Sequence, residues 1–379
     1  MPILHPIFIL IFLILAVGSY TQLYRSTSNR KLILWVVGII LIIAVGLRTD
    51  VGADYPVYRQ LYVDFSLYID YSDVFNKAVF SENGFDIEWM YVLINKILFQ
   101  LGLPFYFVTL VMAIITISLK FTAIAENVEY TALAALFYFM PIMFFEDSGQ
   151  MRQGIGIAFS VFSFRYIKQR NLWKFLLFIY IALGFHKTSI VFLPAYWLVR
   201  IPMNQNRIFW VLAISLLLSP LELYRVAGSF FEGLTPQDVS SAYTGYLDDH
   251  YYGTEVETGL NDIVKLFYIG ILIRFDKSAC REVWYYEYMR NLGVFGLALF
   301  YFFRSNEIFA VRLPGAYMFF LLMFCMPSIV YAERNRFKNL LYAGFMTYFT
   351  MMFFYFGKGN GEKGRFTTGR YQNVLLKLN

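Results

Sequence analysis

Residues 4–47 read LHPIFILIFLILAVGSYTQLYRSTSNRKLILWVVGIILIIAVGL: two apolar runs, 4–23 and 32–47, joined through Arg25, Arg30 and Lys31. Crossing the hydrocarbon of a bilayer takes about 20 apolar residues of helix, and lysine and arginine in a short loop between two such runs mark its cytoplasmic side. The pair reads as a membrane hairpin whose far ends both face away from the cytoplasm. Residues 7–17 have the length of a secretory h-region. They lack a basic lead-in and run on toward a second span, so the segment is expected to remain as an anchor.

Further runs follow at 105–123, 130–145, 152–167, 172–185, 188–200, 208–223, 260–275, 290–303, 310–331 and 338–356. Hydrophobic residues make up 59% of the chain and charged ones 15%, an excess that no single soluble core of 379 residues would hide. The expected fold is all-α, a polytopic transmembrane bundle of about 11–13 spans. Segment 87–101 is the weakest candidate, because Asn95 and Lys96 interrupt it, and it is expected to lie at the interface. Lys168, Arg170 and Lys174, Arg200 and Arg207, Arg274, Lys277 and Arg281, and Arg334, Arg336 and Lys338 extend the cytoplasmic set. Two long polar segments, 48–86 and 224–259, then fall outside. The basic tail, 357–379, would fall outside too, against the charge rule, unless a span is miscounted or an anion meets it. With no internal repeat and no long linker, residues 1–379 read as one membrane domain.

The formal charge of +6 resides largely in short loops, so topology and lipid headgroups account for it and no nucleic-acid partner is expected. Cys280 and Cys325 form neither a disulfide framework nor a zinc spacing. Nucleotide-binding loops, zinc-protease and serine-hydrolase motifs and acidic metal clusters are likewise missing.

Five places carry polar residues that a membrane makes costly. In LRTDVGADYPVYRQLY, Arg48, Asp54, Tyr55 and Tyr58 surround Gly52, which permits a tight turn; either Asp54 takes a proton or bonds a sugar hydroxyl, or the segment is a solvated loop with interfacial tyrosines. In EDSGQMRQGIGIAF, Arg152 and Gln153 open an apolar helix, where a guanidinium and a helix start suit phosphate oxygens. The alternative is an arginine that snorkels, or pairs with Glu146 or Asp147. His186, in ALGFHKTSIVFLP, stands at a span end as a proton carrier, as a cation beside phosphate, or as a structurally satisfied imidazole. Glu88 heads the doubtful helix as an acid–base group or a cap. Arg304 and Arg312 lie on the outer side, facing an anionic ligand or phospholipid headgroups.

In their order, VGLRTDVGADYPVYRQLY, IEWMYVLIN, MRQGIGIAF, LGFHKTSIVFLPAYWL and AVRLPGAYMFF resemble the EpsG-like branch of the Wzy-type bacterial polysaccharide polymerases. The matching elements are Arg48 with Gly52-Ala53-Asp54-Tyr55 and Tyr58, Arg152-Gln153, and Phe185-His186 with Thr188-Ser189, over residues 30–330. The resemblance implies an enzyme of the bacterial inner membrane with its active site on the periplasmic face and an architecture like the GT-C glycosyltransferases. It would pass a growing glycan from undecaprenyl pyrophosphate to a sugar hydroxyl of an incoming lipid-linked repeat unit, with a flippase and a chain-length regulator as protein partners. Arg48, Arg152 and Arg312 are then expected to hold the pyrophosphate, with Tyr55, Tyr58, Gln153 and Arg304 lining its site. Asp54, Glu88 and His186 are candidates for the base. No cofactor and no metal is expected, because the activated leaving group needs only cationic side chains to stabilise it. The rival of another class is a lipid-linked oligosaccharide flippase, which needs the same cations but is expected to show paired halves. An acyltransferase using His186 or a pure scaffold fits the outer arginines less well.

Overall fold

The computed structural model describes residues 3–52, 54–75, 87–222, 255–257, 259–358 and 365–377. Most of the expected outer segment 224–259, with residues 76–86, Ala53 and 359–364, lies outside them. Every regular element among the described residues is helical, and the extended backbone is confined to two isolated bridges, Leu4 with Thr367 and Arg48 with Asn373.

Helix α1 (Pro6–Tyr24) is sorted the opposite way from a soluble helix. Leu10, Leu13 and Val17 are half or more exposed, while Ser19 and Gln22 are buried. Lipid explains both: it solvates leucine, whereas a hydroxyl or amide needs a protein partner. Ser19 shares a hydrogen bond of 3.0 Å with the Tyr342 hydroxyl, and Gln22 donates to Thr131 Oγ1 at 3.2 Å.

The chain continues through α2 (Arg30–Gly46), α3 (Tyr55–Tyr68), α4 (Trp89–Gln100), α5 (Tyr106–Asn127) and α6 (Thr131–Phe137). A π-helical stretch, Tyr138–Asp147, contains Pro141 and leads to α7 (Met151–Phe162), α8 (Phe164–Lys168) and α9 (Leu172–Leu183). Beyond a 3-10 turn at Lys187–Phe192 come α10 (Ala195–Leu198), α11 (Gln205–Leu218), α12 (Leu260–Glu282), α13 (Tyr286–Phe302), α14 (Glu307–Arg312) and α15 (Gly315–Phe319). A second π-helical stretch, Phe320–Cys325, precedes α16 (Met326–Ala332), α17 (Asn335–Gly357) and α18 (Val374–Lys377).

Four runs among the described residues are long and apolar enough to cross a membrane: Pro6–Tyr24, Tyr106–Asn127, Gly315–Ala332 and Arg336–Gly357. Other expected spans are divided. The run 130–145 is split between α6 and the stretch around Pro141, whose missing N–H cannot continue an α-helical ladder. The run 152–167 breaks at Ser163, and 188–200 is a 3-10 turn followed by one α-helical turn.

Two compact units result: Met1–Ile190 with Leu322–Asn379, and Val191–Leu321. In the first, the basic residues expected to face the cytoplasm gather at one end. Arg30 pairs with Glu129, Arg165 with Glu126, and Lys168 donates to Asn127 at 2.7 Å. The end of α2 and the start of α5 meet at the other, where Thr109 donates to the Gly46 carbonyl at 2.5 Å. Helix α4, at 12 residues, is about 18 Å long. Its leading residue Glu88 meets the start of α7, and the turn that follows it leads directly to α5, so both its ends lie at this second end.

Between the two ends, Lys120 is fully buried and donates to Asp147 Oδ1 at 2.7 Å, while the Tyr138 hydroxyl donates to Oδ2 at 2.5 Å. In the second unit α11 packs on α13, and Arg290 forms a buried pair with Asp276 at 3.0 Å. Removing one partner of such a pair strands a charge at a cost of about 3–5 kcal/mol. Lys120→Met is therefore expected to lower thermal stability in detergent markedly, and the double substitution Lys120→Met with Asp147→Leu to recover part of the loss. Equal losses in single and double variants would argue against a charge pair.

Candidate functional site

Two motif regions 100 positions apart are drawn together at Ser148. Gly52 has φ of +121°, a conformation that L side chains rarely adopt, and a Cβ there would lie 2.3 Å from the Ser148 carbonyl. Arg48 reaches the same carbonyl from Nη2 at 2.9 Å, while its Nε donates to the Val51 carbonyl at 2.9 Å and its Nη1 to that of Val45. Arg48, expected from the sequence to hold the pyrophosphate, is 1% exposed here, and each of its guanidinium nitrogens holds a backbone oxygen. Burial pulls it down to about 10, so it stays charged at neutral pH. Arg48 acts as a fastener.

Ser148 leads through four residues to Arg152 in the first turn of α7. A Cβ on Gly154 would lie 2.5 Å from Asp147 Oδ1, so only glycine lets the helix start close on the buried Lys120–Asp147 pair. Arg152 pairs with neither Glu146 nor Asp147, contrary to that alternative; its Nη1 donates to Glu88 Oε2 at 2.5 Å. Its guanidinium carbon lies 5.9 Å from the Tyr58 ring centroid, and among the described residues its buried Nε has no hydrogen-bond partner.

Glu88 does not cap α4 with its side chain. Its second oxygen, Oε1, accepts from the Lys187 backbone N–H at 2.9 Å, so one carboxylate links the arginine to the turn that carries His186. That turn is further fixed by the Met90 N–H, which donates to the Gly184 carbonyl at 2.8 Å. His186 is half-buried. Its Nδ1 lies 2.7 Å from Thr188 Oγ1 and accepts from the Thr188 N–H at 3.3 Å, which leaves Nε2 as the protonated nitrogen of the neutral ring. Asp54, half-buried, precedes α3. Tyr58, one turn later, is buried against Arg152 on one side and stacks toward Tyr91 at 5.6 Å, while Tyr55 packs on Phe105 at 5.1 Å. Burial raises both phenols above their ordinary value, which keeps them neutral donors. Gln153 is buried beside Arg152.

Asp54, Tyr55, Tyr58, Glu88, Arg152, Gln153 and His186 thus fall in the first unit, linked through the Arg152–Glu88 pair. Arg304 and Arg312 belong to the second. There Arg304 forks onto Asp262, with Nη2 to Oδ2 at 3.0 Å; Arg312 is the last residue of α14 and half-buried. A ligand on Arg304 would compete with Asp262. Among the described residues no group of three or more His, Cys, Asp or Glu side chains could hold a metal ion.

Lys120 escaped the sequence reading, and with it the true partner of Asp147, although an ionisable residue midway through the apolar run TISLKFTAIA is itself a signal. So did Arg365, in the basic tail, whose Nη1 donates to the Gly52 carbonyl.

The model of the EpsG family matches residues 31–372, and the chain belongs to that family. No curated protein and no solved structure matches it.

Arg152 and Glu88 are 64 positions apart and share a partly buried contact, so their effects should not add. A double-mutant cycle of Arg152→Gln and Glu88→Gln, read by thermal unfolding, is expected to give a coupling of about 1–3 kcal/mol. Additive losses would mean that the pair does not organise the site.

Proposed function

With membership of the EpsG family as its premise, we propose that the chain is a polysaccharide repeat-unit polymerase of the Wzy type. It passes a growing glycan from undecaprenyl pyrophosphate to a sugar hydroxyl of an incoming lipid-linked repeat unit on the outer face of a bacterial inner membrane. The observation that carries this reading is the cationic Arg152, placed at a helix start with an unsatisfied buried N–H and flanked by Tyr58, Glu88 and the His186 turn. Four runs long enough to cross, together with the divided helices between them, fit a GT-C-like bundle with further, broken spans.

In the reaction the acceptor oxygen forms a bond to the anomeric carbon of the donor glycan. The bond from that carbon to the diphosphate breaks, and its electron pair leaves on the diphosphate oxygen. Negative charge therefore develops where Arg152 and the positive end of α7 lie, and donors fixed in advance stabilise it without reorganising. Glu88 has both oxygens engaged, which makes it a positioning residue that aims Arg152 and holds the 184–187 turn. His186, next to that turn, is assigned to the leaving diphosphate as a hydrogen-bond donor from Nε2. Asp54 takes the acceptor's proton, with Tyr58 between it and Arg152 keeping acid and cation apart. Tyr55 and Gln153 wall the site.

The test is glycan extension by purified protein in nanodiscs, given its lipid-pyrophosphate-linked repeat unit and no nucleotide sugar. A ladder of longer lipid-linked glycans is expected, its rate falling on the order of 10²-fold or more in Arg152→Ala and in Asp54→Asn. His186→Ala should slow it as well. Transfer of intact lipid across sealed vesicles with no lengthening would replace the polymerase with a flippase.

A further inference from the structure

Residues 358–377 carry five lysines and arginines against one glutamate. The fold shows where residues 365–377 of this tail go. The Thr49 N–H donates to the Gln372 carbonyl at 3.0 Å and the Val374 N–H to that of Leu47 at 2.8 Å. The Tyr371 hydroxyl reaches the Ala44 carbonyl at 2.7 Å, and Asn373 Nδ2 that of Ile43 at 3.1 Å. On the other side, the His5 N–H donates to Phe366 and the Thr368 N–H to Ile3, each at 2.9 Å. The tail is strapped across the ends of α1 and α2 that lie opposite the basic end, so its charge sits where short loops are otherwise poor in lysine and arginine.

Arg365 opens the strap. Phe366, beside it, is buried against Phe8 and Phe144, which fixes where the arginine emerges. Arg365 is half-buried, and its guanidinium lies on the Gly52 carbonyl, at the corner where Gly52 abuts Ser148 and the chain turns toward Arg152. Arg48 of the same corner is consumed by three carbonyls and sealed from solvent. A diphosphate carries more charge than one guanidinium balances, and arginine matches phosphate oxygens in a fork.

We propose that Arg365 is a substrate-contacting residue, the second cation for the diphosphate of the lipid-linked substrate beside Arg152, delivered to the Gly52–Asp54 corner by the C-terminal strap. The proposal rests on the diphosphate-linked substrate of the preceding reading. It assigns to Arg365 the task of completing the site.

The experiment is binding of a short-chain polyprenyl diphosphate to full-length protein in phosphatidylcholine nanodiscs, followed by calorimetry, with the monophosphate as comparator. Arg365→Gln, which keeps a donor for Gly52 but not the charge, is expected to weaken the diphosphate about tenfold, the scale of one charge-assisted contact. Arg365→Lys should recover part of it. Arg370→Gln removes an exposed charge of the same tail away from the Gly52 corner and should bind as the parent does. Unchanged binding in Arg365→Gln, or equal losses in Arg365→Gln and Arg370→Gln, would overturn the proposal, the latter because the tail would then act by its net charge alone. So would failure of the parent to bind. Binding that follows the phosphatidylglycerol content of the disc and ignores the diphosphate would assign Arg365 to lipid headgroups and likewise refute it. Diphosphate binding that depends on Arg365, without any glycan ladder, would sink the polymerase reading and uphold this contact.

Discussion

The Asp147–Ser148 corner is the constraint on which the rest of the first unit depends. Asp147 is charged and buried, so it stands only while Lys120 and the Tyr138 hydroxyl satisfy it. Ser148, next in the chain, offers its carbonyl to Arg48 and its flank to Gly52. One side of the corner is therefore set from inside the bundle and the other from the loop above it. Arg152 begins its helix a few residues later and inherits both settings. Moving either buried charge shifts the helix start that carries the cation.

Apolar surroundings make this economy necessary. Without water, a polar side chain must find a protein partner or stay out. Ser19, Gln22, Lys120, Asp147, Arg48 and Arg290 all do so, each with contacts that tie separate helices. Their placement amounts to a set of cross-links, and the outward-facing leucines of α1 and α17 contribute only solubility in lipid. Arg152 differs within this company: one of its nitrogens is left unsatisfied, which is costly in a purely structural residue.

The sequence made the helical, lipid-solvated character legible through run length, and it made the order of the motifs legible through their short signatures. Arg152, His186 and Glu88 were visible as ionisable groups at run ends, where a bilayer makes them expensive. Their connectivity was not. Nothing local says that Glu88 reaches across 64 positions to Arg152, because that choice is made by the way α4 and α7 pack, and Glu146 and Asp147 were nearer in sequence. The same holds for Arg48, whose exposed or buried fate depends on whether carbonyls 45, 51 and 148 converge. Span boundaries failed where hydropathy stays high through a change of helix type, as at Pro141 and Ser163, since composition does not register which backbone bonds are made. The reach of the tail was hidden for the simplest reason: its partners, Ile3 and the residues at 43–52, are more than 300 positions away.

The bridges of Leu4 to Thr367 and Arg48 to Asn373 also order events in time. A ribosome delivers the first hairpin long before residues 365–377 exist, and contacts of such sequence separation close late and slowly. During synthesis the hairpin must therefore wait in the bilayer with the carbonyls of residues 43–47 unclaimed by the tail. The corner at Gly52 receives its contact from Arg365 only after the helix Asn335–Gly357 has been made. A chain interrupted before residue 365 would lack the contacts that the strap makes with residues 3–5 and 43–52.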